Sequence, residues 1–244
     1  MLRELLDDAR AYGPFAGGKS VYFISVNRGK ESIALDLQKE LESKVIADRE
    51  RDYLLLLEHP HTFTVGRQAK TDGVLATADL LRKLGIEVFE INRGGRVTYH
   101  GLGQIVGYPI ISLSPDREDV HKYVRDIEEV LIRTMADLGI DAFRIDGLTG
   151  VHTTEGKVAA IGVHIKRWVT THGFALNVNT DLSYYNWIIA CEGEPVTSMD
   201  RLLGREVDMA AVEDRLEVNF REVFEYESNG IGDLLITEEQ AYAI

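Results

Sequence analysis

One cysteine is the strongest candidate for nucleophilic chemistry in this chain. Cys191 is the only cysteine among 244 residues, so no internal disulfide is possible and no other thiol can react. It follows the apolar run 187–190 and precedes Glu192-Gly193. An apolar segment followed by a glycine turn would hold a thiol at the edge of a core, where a nucleophile could meet a substrate. The alternative interpretation is a small buried hydrophobic residue.

A lysine at the start of a predicted strand is the second candidate. In the segment EGKVAAIG, Gly156 predicts a hairpin turn, and the small residues that follow Lys157 would leave room beside the strand. A free thiol has a pKa of about 8.5 and needs activation. A nearby ammonium favours the thiolate, and a neutral amine takes the thiol proton. We expect Lys157 and Cys191 to meet across neighbouring strands and to titrate as a pair. The alternative is an ordinary solvated lysine.

A glycine-rich segment follows a predicted strand and reads RGGRVTYHGLGQ from Arg93 to Gln104. Glycine lets a ligand approach the backbone closely. Gly94 and Gly95 are therefore expected to leave backbone N–H groups free for an oxyanion, and the later glycines predict a second tight turn. The alternative is two ordinary glycine turns in a β-rich region. A Walker phosphate loop is not matched, because that loop needs a lysine followed by serine or threonine.

Composition excludes several classes of protein. The net charge of -13 and the pI near 5.0 disfavour nucleic acid and anionic membranes as partners. No run of about 18 apolar residues predicts a transmembrane helix, and the acidic N-terminus MLRELLDDARAYG is unlike a signal peptide. We therefore expect a cytoplasmic protein. No metal site is predicted, because His59 and His61 lack an acidic or thiol ligand at a standard spacing.

The order of predicted elements indicates an α/β fold of the α+β type, with a single domain built on a mixed β-sheet covered by helices. Residues 1–20 are interpreted as an N-terminal extension, 21–226 as the domain and 227–244 as a C-terminal tail. Periodicity and turn signals predict the main elements. The predicted strands are 21–26, 53–57, 62–65, 86–91, 104–113 with a break at Gly107-Tyr108-Pro109, 142–145, 151–154, 158–168 and 173–178. The predicted helices are 31–52, 77–84, 119–138 and 209–224.

Four segments in order resemble the lipoyl(octanoyl) transferase family, over roughly residues 21–225. They are RGGRVTYHGLGQ, close to the family's RGG-x-x-TYHGPGQ, then KVAAIGV, THGFALNVNTDL and a cysteine shortly before VTSM. The resemblance implies a biotin/lipoate protein ligase-like fold, with residues 21–226 as the octanoyltransferase catalytic domain. The chain departs from the family at Leu102, which replaces a proline, and around Cys191. There Ala190 and Glu192 replace proline and glycine, and the link to Val196 is about two residues shorter.

The resemblance also implies an activity and its residues. An octanoyl group passes from octanoyl-acyl carrier protein through a thioester to a lysine of a lipoyl domain, in 2-oxoacid dehydrogenases or the glycine cleavage H protein. This is the first step of endogenous protein lipoylation, and no cofactor or metal is implied. The nucleophile would be Cys191 and the acid/base Lys157. The substrate-binding residues would be Arg93, Gly94, Gly95, His100, Gly162, His172, Gly173 and Ala175.

The expected carrier proteins are acidic, as the resemblance implies, so an enzyme of charge -13 needs a locally basic face for docking. The candidates are Arg67, Lys70, Arg96, Lys166 and Arg167; the alternative is that each belongs to a solvated surface. Three other functions stay open. An ATP-dependent lipoate or biotin ligase would need an adenylate-binding loop, a cysteine thioesterase would need a base for water, and a carrier-binding module would need no chemistry.

Overall fold

The computed structural model describes residues 20–26, 31–49, 51–69, 73–190 and 193–226. The predicted N-terminal extension and C-terminal tail lie outside these ranges, except for residue 20. The strands are β1 (Ser20–Val26), β2 (Arg51–Leu57), β3 (Thr62–Val65), β4 (Glu87–Glu90), β5 (Val97–His100), β6 (Gln104–Ile110), β7 (Val151–Thr153), β8 (Gly156–Lys166) and β9 (Val169–Asn177). The helices are α1 (Glu31–Asp48), α2 (Ala78–Leu84), α3 (Val120–Asp137), a 3₁₀ helix (Leu182–Trp187), α4 (Met199–Leu203) and α5 (Met209–Val223).

The larger sheet has six strands in the order β1-β2-β6-β9-β8-β7. The β1–β2 pair is parallel and the other pairs are antiparallel, so the sheet is mixed. Helix α1 packs on one face, and α3 and α5 pack together and cover the other. The predicted α/β fold with a mixed sheet covered by helices is confirmed.

Strand β2 shows why its sequence is a continuous apolar run. Leu54 and Leu56 belong to the core beneath α3 and α5, whereas Leu55 and Leu57 belong to the core beneath α1. Because both faces of the strand are covered, polar and apolar residues do not alternate along it.

A second, smaller sheet was not predicted. Its strand order is β4-β3-β5, with β3 parallel to β4 and antiparallel to β5. Its core is formed by Phe63, Val97, Tyr99 and Ile188. This sheet carries the glycine-rich segment between β4 and β6, and it therefore places that segment over the larger sheet.

The predicted break at Gly107-Tyr108-Pro109 is wrong, because β6 runs through it without interruption. Pairing with β9 ends at Gly107, whereas pairing with β2 continues to Ile110. Pro109 therefore lies beyond the pairing with β9, where a missing N–H is tolerated. Gly107 is required because a Cβ there would lie 2.1 Å from the Phe174 ring.

The ends of β6, β8 and β9 differ from the predicted bounds by up to four residues, and one predicted strand and one helix end differ as well. The predicted strand 142–145 is wrong: Phe143 forms one isolated bridge with His152, and the Phe143 and Ile145 side chains are about two-fifths exposed. A strand needs more than one paired residue and a buried face. Helix α1 ends at Asp48 rather than at residue 52, because Arg49 takes a positive φ of 53° and the chain then enters β2. Among the described helices, none is long and apolar enough to cross a bilayer.

Candidate active site

A cavity of about 460 Å³ lies between the glycine-rich segment and strands β8 and β9. Its volume is within the ordinary range for small-molecule sites, roughly 300–1,000 Å³. The structure brings all the predicted substrate-binding residues and the predicted acid/base to this one cavity. They are Arg93, Gly94, Gly95, His100, Lys157, Gly162, His172, Gly173 and Ala175.

The small side chains along β8 and β9 leave the space for this cavity. Two cross-strand pairs lie side by side, Ala160 with Ala175 and Gly162 with Gly173. A Cβ on Gly162 would lie 2.8 Å from the Gly94 carbonyl oxygen, because the glycine-rich segment crosses β8 closely there. The position therefore excludes larger side chains, and the cavity follows β8 from Lys157 toward Gly162.

Lys157 is fixed by its main chain, two residues into the β7–β8 hairpin. Its N–H donates to the Pro195 carbonyl at 2.8 Å, and its own carbonyl accepts from the Thr197 N–H at 2.9 Å. Gly156 permits this approach, since it takes a φ of 133° and a Cβ there would lie 2.5 Å from the Pro195 oxygen. The segment that follows Cys191 in the chain is therefore bonded beside the predicted acid/base.

The Lys157 side chain is buried, contrary to the solvated alternative, with 7% of the residue exposed. Its Nζ lies 3.3 Å from Glu194 Oε2, and His152 Nε2 lies 3.7 Å from the same oxygen. Neither Glu194 nor His152 was predicted from the sequence. Glu194 is three positions after the cysteine, which was a usable signal. His152 gave none, because it reaches Lys157 through the short strand β7 and its register shift.

One role predicted for the glycine-rich segment is corrected. The Gly94 N–H is not free for an oxyanion, since it donates to the Val163 carbonyl at 3.0 Å. Arg93 holds the segment against β3: its guanidinium donates to the Thr64 carbonyl and hydroxyl, both at 2.8 Å, and to the Gly94 carbonyl at 2.9 Å. Arg93 therefore shapes the wall of the cavity and anchors it to the smaller sheet.

The two histidines on the cavity wall are held by side-chain partners. His100 Nδ1 lies 2.9 Å from Gln104 Oε1, and His172 Nε2 lies 2.7 Å from Asn92 Oδ1. Burial lowers the pKa of His172 to about 4, with the Arg93 charge adding to the effect. Burial also holds the pKa of His100 well below its usual value. Both imidazoles are therefore neutral near pH 7 and orient loops by hydrogen bonding.

His59 and His61, the two histidines considered as a metal pair, each form a hydrogen bond with a different tyrosine. His59 Nε2 lies 2.7 Å from the Tyr108 hydroxyl, and His61 Nδ1 lies 2.8 Å from the Tyr99 hydroxyl. Burial lowers the pKa of His59 to about 4. Within the described ranges, no group of three or more His, Cys, Asp or Glu side chains could hold a metal ion.

Cys191, the predicted nucleophile, lies outside the described residues, as does Lys70 of the predicted docking face. The predicted meeting of Cys191 and Lys157 thus stays a prediction. The other basic candidates lie in two places. Arg96 lines the cavity, and Arg67 is exposed beside it, with its N–H donating to the Arg93 carbonyl. Lys166 and Arg167 lie at the far end of β8, about 30 Å from Lys157 at 3.3 Å per residue.

Comparison with known proteins identifies the family. The model of the lipoyl protein ligase A/B catalytic domain matches residues 31–221, most of the chain. The chain belongs to this family. A model of CoA-transferase family III matches only residues 3–48, too little of the chain to show membership.

Relatives within the family agree with the sequence motifs. An octanoyltransferase of Solibacter usitatus is 49% identical over 195 residues, which cover 80% of this chain and 88% of that protein. An octanoyltransferase of Koribacter versatilis is 46% identical over 216 residues, covering 82% and 86% of the two chains. The predicted family and enzyme class, an acyltransferase, are confirmed.

A solved structure supports the fold. The putative lipoate protein ligase from T. acidophilum, with bound lipoic acid, has a TM-score of 0.70 at 18% identity, and the match covers 93% of this chain and 92% of that one. The predicted lipoate ligase-like fold is confirmed by this likeness, which at such identity concerns the fold alone.

Proposed function

We propose that the chain transfers an octanoyl group from octanoyl-acyl carrier protein, through a thioester on Cys191, to a lysine of a lipoyl domain. The observation that carries the proposal is the position of Lys157. It is a buried lysine on the wall of a cavity along β8, hydrogen-bonded through its backbone to the segment just after Cys191. The octanoyltransferase relatives support the acyl group, and the lipoate ligase of T. acidophilum, studied with its E2 lipoyl domain, supports the acceptor.

In the first half of the proposed reaction, the Cys191 thiolate attacks the thioester carbonyl of the donor. The C–S bond to the carrier breaks after the new C–S bond forms, and the leaving thiolate takes a proton from Lys157. The acyl chain then lies along β8, where Ala160, Gly162 and Ala175 leave space. Thioester replaces thioester, so the step is nearly isoenergetic and needs no ATP.

In the second half, the acceptor lysine attacks the octanoyl-enzyme. Lys157, now neutral, takes a proton from the attacking nitrogen, and the Cys191 sulfur leaves. A thioester is converted to an amide, which is downhill. An ATP-dependent ligase would instead activate a free acid as an adenylate, and a thioesterase would give the same octanoyl-enzyme to water.

Intact mass spectrometry tests the proposal directly. Wild-type enzyme mixed with octanoyl-acyl carrier protein is expected to gain one octanoyl adduct, which a lipoyl domain discharges. The Cys191→Ser variant is expected to gain no adduct under the same conditions. Discharge by water at the same rate with and without the lipoyl domain would indicate a thioesterase. No adduct together with ATP-dependent ligation of free octanoate would indicate a ligase.

A further inference from the structure

The proposed reaction, on which this inference rests, releases one proton in each turnover, and the base assigned to the attacking amine is the buried Lys157. The acceptor amine is an ammonium near pH 7, because a lysine has a pKa of about 10.4. Its nitrogen carries three protons, and the amide product carries one. Of the two protons lost, Lys157 keeps one and gives it to the carrier thiol in the next cycle. The other must reach solvent once in every turnover.

Glu194 is a more exposed carboxylate beside the buried lysine. Its Oε2 lies 3.3 Å from Lys157 Nζ, within reach of a proton transfer. The side chains of Lys157 and His152 are 8% and 3% exposed, whereas that of Glu194 is 21% exposed. A carboxylate placed between a buried base and solvent can accept a proton from one side and release it on the other.

Glu194 also lies between two cavities. Glu194 lines the cavity that holds Lys157, and it also lines a second cavity of about 610 Å³ beside the 3₁₀ helix. Polar side chains on the wall of the second cavity include Ser183, Asn186 and Arg201. Among the residues described on the two walls, Glu194 is the one that both cavities share.

His152 is the third ionisable side chain beside Lys157 and Glu194. It is 3% exposed, and neither ring nitrogen has a hydrogen-bond partner among the described residues. The charged groups that face it are Lys157, Glu194 and Glu128, and its pKa is lowered, first by burial and then by Lys157. Because the imidazole is neutral, His152 does not compete with Lys157 Nζ, 3.3 Å away, as a proton donor to Glu194 Oε2.

We propose that Glu194 is the proton exit of the active site: it accepts the excess proton from Lys157 Nζ and releases it through the second cavity to water. In this role Glu194 acts through Lys157 and does not touch the acyl group. Because the proton is in excess only when the amine reacts, the requirement falls on the deacylation half of the cycle.

The test uses small buffers as substitute proton acceptors. Octanoyl-enzyme prepared from the full-length chain is mixed with lipoyl domain at pH 7, and the loss of the adduct is followed by rapid quench at rising imidazole concentrations. Glu194→Gln keeps the size of the side chain and removes its proton acceptance. Its deacylation rate is expected to fall at least about tenfold in dilute buffer, as for the loss of a general acid–base group, and to rise with imidazole. The matched control is Glu155→Gln. Glu155 is an exposed residue of the β7–β8 hairpin, which also carries Lys157, and it is paired with Arg201 at 3.7 Å. This variant should have the wild-type rate, and imidazole should not change that rate.

A Gln variant with the wild-type rate in dilute buffer overturns the proposal. So does a slow Gln variant whose rate does not change with imidazole, because a purely structural defect has no reason to respond to a buffer base. Glu194→Asp keeps a carboxylate, and its deficit and imidazole response should both be smaller than those of Gln. If wild type itself forms no octanoyl adduct, the proposed function fails instead, and the two failures are thereby distinguished.

Discussion

Glu128 and Gly150 connect helix α3 to Lys157, the proposed acid/base. The buried carboxylate of Glu128 accepts the Gly150 N–H at 3.0 Å through Oε1. Gly150 in turn packs against Lys157, since a Cβ at Gly150 would lie 2.6 Å from Lys157 Cε. The other oxygen of Glu128 accepts from Arg125 at 2.8 Å and Arg144 at 3.2 Å. One carboxylate thus holds the loop that confines the lysine side chain.

Removing this charge should destabilise the fold. Glu128→Gln leaves two arginines without their shared carboxylate, but both are partly exposed and can be solvated. The loss is therefore expected to be about 1–3 kcal/mol, below the cost of breaking a fully buried pair. Urea unfolding measures it. Glu129→Gln, one position along and a third exposed, is the control and should cost under about 1 kcal/mol. Equal losses in the two variants would contradict the structural role of Glu128.

The role proposed for Lys157 predicts a loss of turnover that does not depend on folding. Lys157→Ala removes the acid/base while Cys191 remains, and the rate of lipoyl-domain octanoylation should fall by roughly 10²–10⁴-fold. Lys157→Arg keeps the positive charge but cannot act as a base, so it should be similarly slow. Single-turnover assays on both variants check this. Near-wild-type rates in Lys157→Ala would exclude the proposed role, provided that its melting temperature is unchanged.

The small residues of the cavity wall predict acyl-chain selectivity. Ala160→Val adds two methyl groups opposite Ala175 and introduces a residue type that suits a strand. One methylene in a tight pocket is worth about 1–3 kcal/mol, so kcat/KM for octanoyl donors should fall about tenfold or more. Hexanoyl donors should lose less, because the shorter chain fills less of the cavity. Competition between hexanoyl- and octanoyl-acyl carrier protein measures the ratio. An equal loss for both donors would contradict this placement of the acyl chain.

Buried neutral histidines make stability dependent on pH. The folded pKa of His172, about 4, is below its unfolded value of about 6.5. The unfolded chain therefore binds more protons between these values, and stability is lost as the pH falls from 6.5 toward 4. At pH 5 one such histidine costs about 2 kcal/mol relative to pH 7.

The variant His172→Asn isolates this contribution. Asparagine tolerates the positive φ of 58° at this position better than most residues. Its unfolding free energy should fall by about 2 kcal/mol less than that of wild type between pH 7 and pH 5. Urea unfolding at the two pH values measures the difference. Parallel losses in the two proteins would mean that His172 does not carry this pH dependence.

Secondary structure was predicted most accurately from the sequence where a single local pattern determined it. The periodicity and flanking signals of α3 were sufficient, because Asp119 caps the helix and Gly139 takes the positive φ just after it. The continuous apolar run of β2 was likewise sufficient to predict a strand buried on both faces. Motif order also identified the residues of the cavity, since the glycine segment and β8 each carry a recognisable string.

The sequence failed where the outcome depended on tertiary contacts. Pro109 looked like a break, but whether it interrupts a strand depends on where the neighbouring strand stops pairing. Gly94 looked like a free donor, but its partner is a carbonyl on β8, nearly seventy positions away in the chain. The contact of His152 with Glu194 likewise depends on a register shift in β7. Spacing along the chain carries no signal for such relationships.

The position of the basic residues predicts where the proposed carrier proteins, expected to be acidic, would dock. Arg96 lines the cavity that holds Lys157, whereas Arg167 lies at the far end of β8 and Lys166 is paired with Glu42 at 3.2 Å. Arg96→Glu should therefore raise the KM for both carrier proteins several-fold at low salt, because it reverses a charge near the cavity. The increase should diminish as ionic strength rises. Arg167→Glu makes the same charge change at a distance and should have a smaller effect. Steady-state kinetics at two salt concentrations check this, and equal KM values for the two variants would contradict docking at the cavity.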